Sequence, residues 1–257
     1  MKKNYKRGYV YVLSFILTIF MMSGVAFAGD INSPLEKKSS SIKWNGHASF
    51  TITNGKGTRI VTDPFGDGIG YKVQELYAEI ATVSHDHFDH NYLESIKSNF
   101  TAIRERGKFK INGIKIKGTK TYHDTESGSQ RGENTVYTYN IDGVNLCHLG
   151  DLGHELSKEQ IESIGKVDIL MIPVGGLYTI DGEVAAKVVS QLNPKVVIPM
   201  HYQTEVLVPE FGKLSKVDNF IEKMNNWQVV KVDTFTFNKS EITKSKEKKI
   251  VVLNFNK

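Results

Sequence analysis

Apolar and polar positions alternate with a period of two along much of this 257-residue chain, and that is the spacing of a half-buried strand. Ile42-Lys43-Trp44, Ser49 to Thr53 and Arg59 to Thr62 read as three such strands, and Ile80 to Val83 as a short buried fourth. Lys108 to Tyr122 holds two alternating runs around Asn112-Gly113, a dipeptide suited to the positive φ angles of a type I′ hairpin. Thr135 to Leu149 repeats the device around Asp142-Gly143. Val167 to Pro173 and Lys195 to Met200 are apolar strands, while Gln228 to Phe237 and Ile250 to Phe255 read as terminal ones.

Helical spacing is rarer. Ser157-Lys158-Glu159-Gln160 is a capping-box start, and Glu183 to Leu192 places alanine and valine on one helical face. Ser215 to Trp227 reads as a last long amphipathic helix, and Asn91 as the N-cap of a short helix over Tyr92 to Lys97. The order strand-rich, helical, strand-rich, helical predicts an α/β chain of two sheets covered by helices. Polar residues close most of the strands, which places the site along one rim of the sheets.

The first 28 residues break this pattern. Lys2, Lys3, Lys6 and Arg7 precede an apolar stretch from Tyr9 to Val25 and the small-residue site Ala26-Phe27-Ala28, so residues 1–28 read as an export signal cleaved after Ala28. The alternative is an uncleaved N-terminal membrane anchor, since about 17 apolar residues is near the lower limit for a spanning helix. Residues 29–41 read as a polar linker and 42–257 as one domain. Cleavage takes four positive charges from the formal net of +5 and leaves about +1. A near-neutral domain speaks against nucleic acid as a partner. Cys147 is the single cysteine, so no internal disulfide forms and stability must come from burial and metal.

The candidate chemistry centres on Ser84-His85-Asp86-His87-Phe88-Asp89-His90, which follows the strand at Ile80 directly. On an extended backbone His85, His87 and Asp89 share a face, and a turn after Phe88 would swing His90 inward. Three imidazoles and a carboxylate suit zinc, with manganese or iron as alternatives. Further ionisable residues close other strands: Asp63, His123, Asp151 and His201. A buried Asp63 would need a partner, and the free ring N–H of a ligand histidine would supply it. His47 follows a turn between strands and reads as structural, or as lying behind the ligands.

With His85-x-His87-x-Asp89-His90, His123, Gly150-Asp151 and His201 in this order, the chain resembles the metallo-β-lactamase superfamily over about residues 42 to 255. Thr62-Asp63-Pro64-Phe65, His148-Leu149-Gly150-Asp151 and Met200-His201-Tyr202 look most like the broad hydrolase branch that includes L-ascorbate-6-phosphate lactonase and N-acylphosphatidylethanolamine phospholipase D. The resemblance implies an αββα sandwich of two mixed β-sheets flanked by helices, with two divalent metal ions. It makes His85, His87 and His123 ligands of the first metal and Asp89, His90 and His201 ligands of the second. Asp151 would bridge them, Asp63 would orient the His-rich loop, and His148 and Asp124 would at most stand behind the ligands. The implied function is an exported hydrolase that cleaves an ester, lactone or phosphodiester with a metal-bridged hydroxide, Asp89 also accepting a proton.

The rival readings are an antibiotic-hydrolysing β-lactamase and a metal-binding envelope protein without catalysis. Cys147 precedes Asp151 rather than occupying a ligand position, which disfavours the β-lactamase class with a cysteine in its second site. An intact His87 disfavours the oxygen-reducing diiron branch, which carries glutamate there. The expected partner is a small molecule, with membrane contact only through an uncleaved leader and no oligomeric state assigned. Arg131 and Asn134, on the polar run Thr125 to Asn134, are the candidate substrate contacts, with Val174 to Tyr178 at the same entrance.

Overall fold

The computed structural model describes residues 39–255. The leader expected over residues 1–28 and nearly all of the linker expected over 29–41 lie outside the described residues. The first strand begins at Ser40, two residues ahead of the expected domain start. Ser40 Oγ donates to Asp142 Oδ2 at 2.7 Å, and its backbone pairs with Phe237.

Alternation produces two mixed sheets. The first has six strands: β1 (Ser40–Gly46), β2 (Ser49–Thr53), β3 (Arg59–Thr62), β4 (Ile80–Thr82), β5 (Thr101–Ile103) and β13 (Thr234–Phe237). Their spatial order is β13-β1-β2-β3-β4-β5, antiparallel up to β3 and parallel beyond it. The second sheet comprises β6 (Gly107–Ile111), β7 (Ile114–Tyr122), β8 (Glu133–Ile141), β9 (Val144–His148), β10 (Ile169–Pro173), β11 (Val196–Met200), β12 (Gln228–Val232) and β14 (Lys249–Leu253). It runs β12-β14-β11-β10-β9-β8-β7-β6. Both hairpin dipeptides hold positive φ, at Asn112-Gly113 and Asp142-Gly143. Inward residues of the two sheets, among them Ile42, Phe50, Ile52, Tyr139, Leu146 and Ile169, form one buried core. Thr82 Oγ1 and Tyr139 OH, 2.7 Å apart, bond across it.

The helices, α1 (Lys158–Ile164), α2 (Gly182–Leu192), α3 (Val217–Ile221) and α4 (Lys239–Lys244), all fall in the second half of the described residues. The capping box of α1 forms as expected, and Asp181 caps α2 through the amides of Glu183 and Val184. Two helical expectations need correction. The helix expected at Tyr92–Lys97 is a single 3₁₀ turn over Leu93–Ser95, and Asn91 does not cap it but donates to Asp86. Leu76 N–H bonds Ser95 and Lys97 N–H bonds Leu76, so the backbone groups a helix would need are committed to a neighbouring segment. The long helix expected over Ser215–Trp227 is helical only over α3 and then turns. Its beginning is tied down by Ser215 N–H to Gly175 and Gln203 N–H to Ser215. The run Gln228–Phe237 is likewise not one strand, because the chain changes sheet at Asp233.

Candidate metal centre

Most of the candidate residues sit at the carboxyl ends of strands, along one rim. Asp63 follows β3, His85 to His90 follow β4, His123 follows β7, Asp151 follows β9 and His201 follows β11. The reversal predicted after Phe88 is a turn in which His90 N–H bonds His87 at 3.0 Å, and it brings His90 inward. Asp63 and His201 hold positive φ angles of 37° and 51°, sparsely populated for residues with a Cβ. Such strain persists where the surroundings over-determine it, and it aims both side chains into the rim. Gly150 is required for a different reason: a Cβ there would lie 2.4 Å from Asn134 Oδ1 and 2.6 Å from Ser84 Cβ.

Asp151 is the centre of the arrangement. Its Oδ2 lies 3.1 Å from His90 Nε2, 3.2 Å from His123 Nε2, 3.4 Å from His201 Nε2 and 3.9 Å from His85 Nε2. One carboxylate oxygen has about two lone-pair sites, so four ring nitrogens cannot all be satisfied by it. Asp151 Oδ1 and His90 Nε2 are also buried without a hydrogen-bond partner. His85 Nε2 and His87 Nδ1 face each other at 3.0 Å. This surplus of converging donors fits divalent cations. Candidate ligand atoms within 4.8 Å of one another form one set of His85, His87 and His123, a second of His47, Asp89, His90 and His201, and a third, overlapping one of Asp63, His85 and His90, in which Asp63 holds His90 by Nδ1.

The electrostatics favour His85, His47 and Asp151 in ligand form and leave His90 protonated. Burial pushes His85 down to about 3 and, with His201 nearby, His47 down to about 4, so both rings are neutral at pH 7 with a lone pair to offer. Burial opposes charge on Asp151, but His201 and His90 outweigh it and hold the carboxyl well below the usual carboxylate range. Burial likewise opposes a proton on His90, yet Asp151 and Asp89 raise its pKa well above the usual imidazole value.

Behind these residues a chain of hydrogen bonds selects which nitrogen faces the site. Asp63 accepts from Ser84 N–H at 2.7 Å and Ser84 Oγ at 2.5 Å, and pairs with His90 Nδ1 at 3.0 Å. Ser84 Oγ also contacts His85 Nδ1 at 2.9 Å. Both histidines are thereby held by Nδ1 and present Nε2. His148 lies further back: its Nε2 donates to Ala48 O at 2.8 Å, and Gly150 N–H donates to its Nδ1 at 3.3 Å.

The expectation that Asn134 contacts substrate is corrected, because it is 1% exposed. Its amide donates to Thr121 Oγ1 and Leu149 O, and its Oδ1 accepts from Asp151 N–H at 3.0 Å. It holds Asp151 rather than the entrance. Arg131 does lie at the entrance, on the wall of a cavity of about 610 Å³ shared with His87, Phe88, Asp89, His123, Asp151, Tyr178 and His201.

His47 joins the second ligand set, a position its sequence context does not show. It is 1% exposed, with Nε2 3.0 Å from Asp89 Oδ2 and its ring 4.1 Å from that of His201. The signal is faint: a histidine after glycine in a two-residue turn, where Gly46 and His47 hold φ of 118° and 53°. Trp44 Nε1 and His201 N–H both donate to His47 O, which fixes the turn against β11.

Comparison with known proteins agrees with this geometry. Residues 41–201 match the family model of the β-lactamase superfamily domain. A UPF0173 metal-dependent hydrolase of Thermococcus onnurineus is 30% identical over 191 residues, covering 63% of this chain and 84% of its own. A UPF0173 protein of Pyrococcus furiosus is 28% identical over 216 residues, 74% of this chain and 94% of its own. A crystal structure from Thermotoga maritima, assigned to the zinc-dependent hydrolases of the metallo-β-lactamase superfamily, superposes with a TM-score of 0.69 at 38% identity, over 84% of this chain and 100% of that one. The strand-end ligand sets, the paired mixed sheets and these matches together place the chain in the metallo-β-lactamase superfamily, in the family of the UPF0173 metal-dependent hydrolases.

Proposed function

We propose that the chain is an exported hydrolase that uses two divalent ions, zinc foremost, to cleave an ester, lactone or phosphodiester bond of a small molecule. The observation that carries this reading is Asp151 Oδ2, ringed by four imidazole nitrogens between two ligand sets. His85, His87 and His123 would hold one ion, Asp89, His90 and His201 the other, and Asp151 would be shared. When bound, such a pair supplies a water of lowered pKa and polarises the carbonyl or phosphoryl oxygen under attack.

The chain's own residues prepare that chemistry. Asp63 and Ser84 fix the ring orientations before any ion arrives. Asp89 lies at the cavity wall. Burial opposes its charge, but His90 and the bond from His47 outweigh it, so it is ionised at neutral pH. It is placed to take the proton of the attacking water and return it to the leaving oxygen as the substrate bond breaks. Arg131 and Tyr178 line the same cavity and are placed to meet the rest of the substrate. Export is supported by the basic, apolar and small-residue order of residues 1–28.

The test is elemental analysis of the full-length chain purified without chelator, beside hydrolysis assays on a phosphodiester, a lactone, an aryl ester and a β-lactam. About two metals per chain and turnover lost with chelator support the proposal. Turnover of the β-lactam alone would replace it with antibiotic hydrolysis. Metal without any turnover would favour a binding protein.

A further inference from the structure

The cavity beside the candidate ligand sets is lined by two unlike kinds of residue. Its lining combines the metal-binding candidates His87, Asp89, His123, Asp151 and His201 with the apolar side chains Phe88, Tyr178, Val208 and Phe211 and with Arg131. Phe88 is 61% exposed, although it lies inside the histidine motif, and Leu177 beside Tyr178 is 47% exposed with φ of 61°. An exposed apolar side chain on the cavity wall, as Phe88 is, has no role in the core and is available to a ligand.

Arg131 is built in place. Asp124 accepts four backbone N–H bonds, from Glu126 and Gly128 on Oδ1 and from Gln130 and Arg131 on Oδ2, at 2.7–3.0 Å. These bonds curl the run after His123 into a compact loop, and the Arg131 guanidinium stacks 5.4 Å from the centre of the Tyr178 ring. Among the described residues Arg131 forms no ion pair with a carboxylate. It is the sole Lys or Arg on the cavity wall; Asp89 and Asp151 belong to the candidate ligand sets, and away from them Glu210 is the one further carboxylate. Outside the candidate ligand sets, one cation beside one carboxylate accommodates one anionic group and disfavours a polyanion.

Resting on the hydrolytic reading above, we propose that the substrate is a small monoanion with an apolar body. Its charged group would dock on Arg131 over Tyr178, its apolar part on Phe88, Val208 and Phe211, and its scissile bond would lie over His87, Asp89 and Asp151. Arg131 is then a specificity-determining residue and Asp124 the positioning residue that holds its loop.

Calorimetric binding to the metal-loaded full-length chain tests this apart from turnover. Octanoate carries both anion and chain, acetate the anion alone, and octylamine the chain with the opposite charge. Octanoate should bind at least about tenfold more tightly than either, a difference of about 1.4 kcal/mol. Arg131→Gln should erase the margin over octylamine, Arg131→Lys should recover part of it, and Phe88→Ala should shrink the margin over acetate. Octylamine binding as tightly as octanoate, acetate doing so, or an Arg131→Gln protein that keeps the charge margin would each overturn the proposal. Turnover of mono-para-nitrophenyl suberate, whose free carboxylate supplies the single negative charge and whose ester supplies the scissile bond, is measured in parallel. Its absence in a protein that shows both margins counts against hydrolysis and leaves the binding assignment standing.

Discussion

At the scale of single residues, the proposed metal chemistry rests on which ring nitrogen faces the site. Asp63 is fully buried and spends its oxygens on Ser84 and His90 Nδ1, so Asp63→Asn should leave the fold intact while lowering metal affinity about 10- to 100-fold. Competition with a chromogenic chelator measures this, and unchanged affinity would remove Asp63 from the site. Asp151→Ala should cost more, with one ion lost from the stoichiometry and turnover falling well over a hundredfold. His90 makes a prediction about protons. Its pKa in the metal-free fold is raised above the usual 6.5, so at pH 7 it keeps a proton that must leave before Nε2 can bind metal. Metal binding should therefore release about one proton from this ring, and affinity should rise with pH until the raised pKa is passed. Calorimetry in buffers of different ionisation enthalpy reads the release directly, and a buffer-independent heat would contradict it. His47 belongs to the same scale: His47→Ala should weaken the ion of the second set more than that of the first, visible as two separated midpoints in a metal titration.

At the scale of elements, the candidate ligands are delivered by turns whose shapes depend on specific small or buried residues. Gly150→Ala would drive a methyl group into Asn134 and Ser84, whose side chains are packed in the interior, and should destabilise by about 1–3 kcal/mol, seen as a lowered thermal midpoint. Asp124→Ala removes the acceptor of four amides and should expose the loop over residues 125–132 to protease, raising KM more than it lowers kcat. The strands, both hairpin turns and the helices capped by Ser157 and Asp181 were legible because each depends on neighbours within a few residues. The 3₁₀ turn at Leu93 was not, because Leu76 takes its hydrogen bonds from a distance in sequence. The same limit hid β5, which is three residues long, and the change of sheet between β12 and β13.

At the scale of the whole molecule, two sheets pack on one core and the strand ends that meet at their common rim are far apart in the chain. His148 spans the sheets by donating to Ala48, and Tyr137 OH reaches Val83 and Ile103 from the opposite sheet, so rim geometry and core packing are coupled. Metal should accordingly stabilise the entire fold. With free metal at about a hundred times its dissociation constant, the gain is about 2.7 kcal/mol per site, and chelation should lower the melting temperature in one cooperative step. A metal-independent melting temperature would show that the rim and the core are uncoupled.

The linear chain by itself determined the strand pattern, the two hairpins and the order of the histidine motif, His123, Gly150-Asp151 and His201, since alternation and motif spacing are local properties. It also pointed to Asp63 as the partner of a ligand histidine, because a carboxylate at the end of an apolar strand must find a donor. Only the tertiary structure decided the standing of His47 and Asn134. The first enters the second ligand set because the β1–β2 turn is clamped against β11. The second leaves the entrance because β8 carries it beneath Asp151. Each depends on strands that are distant in the chain and adjacent in the sheets, and short-range pattern carries no record of such adjacency.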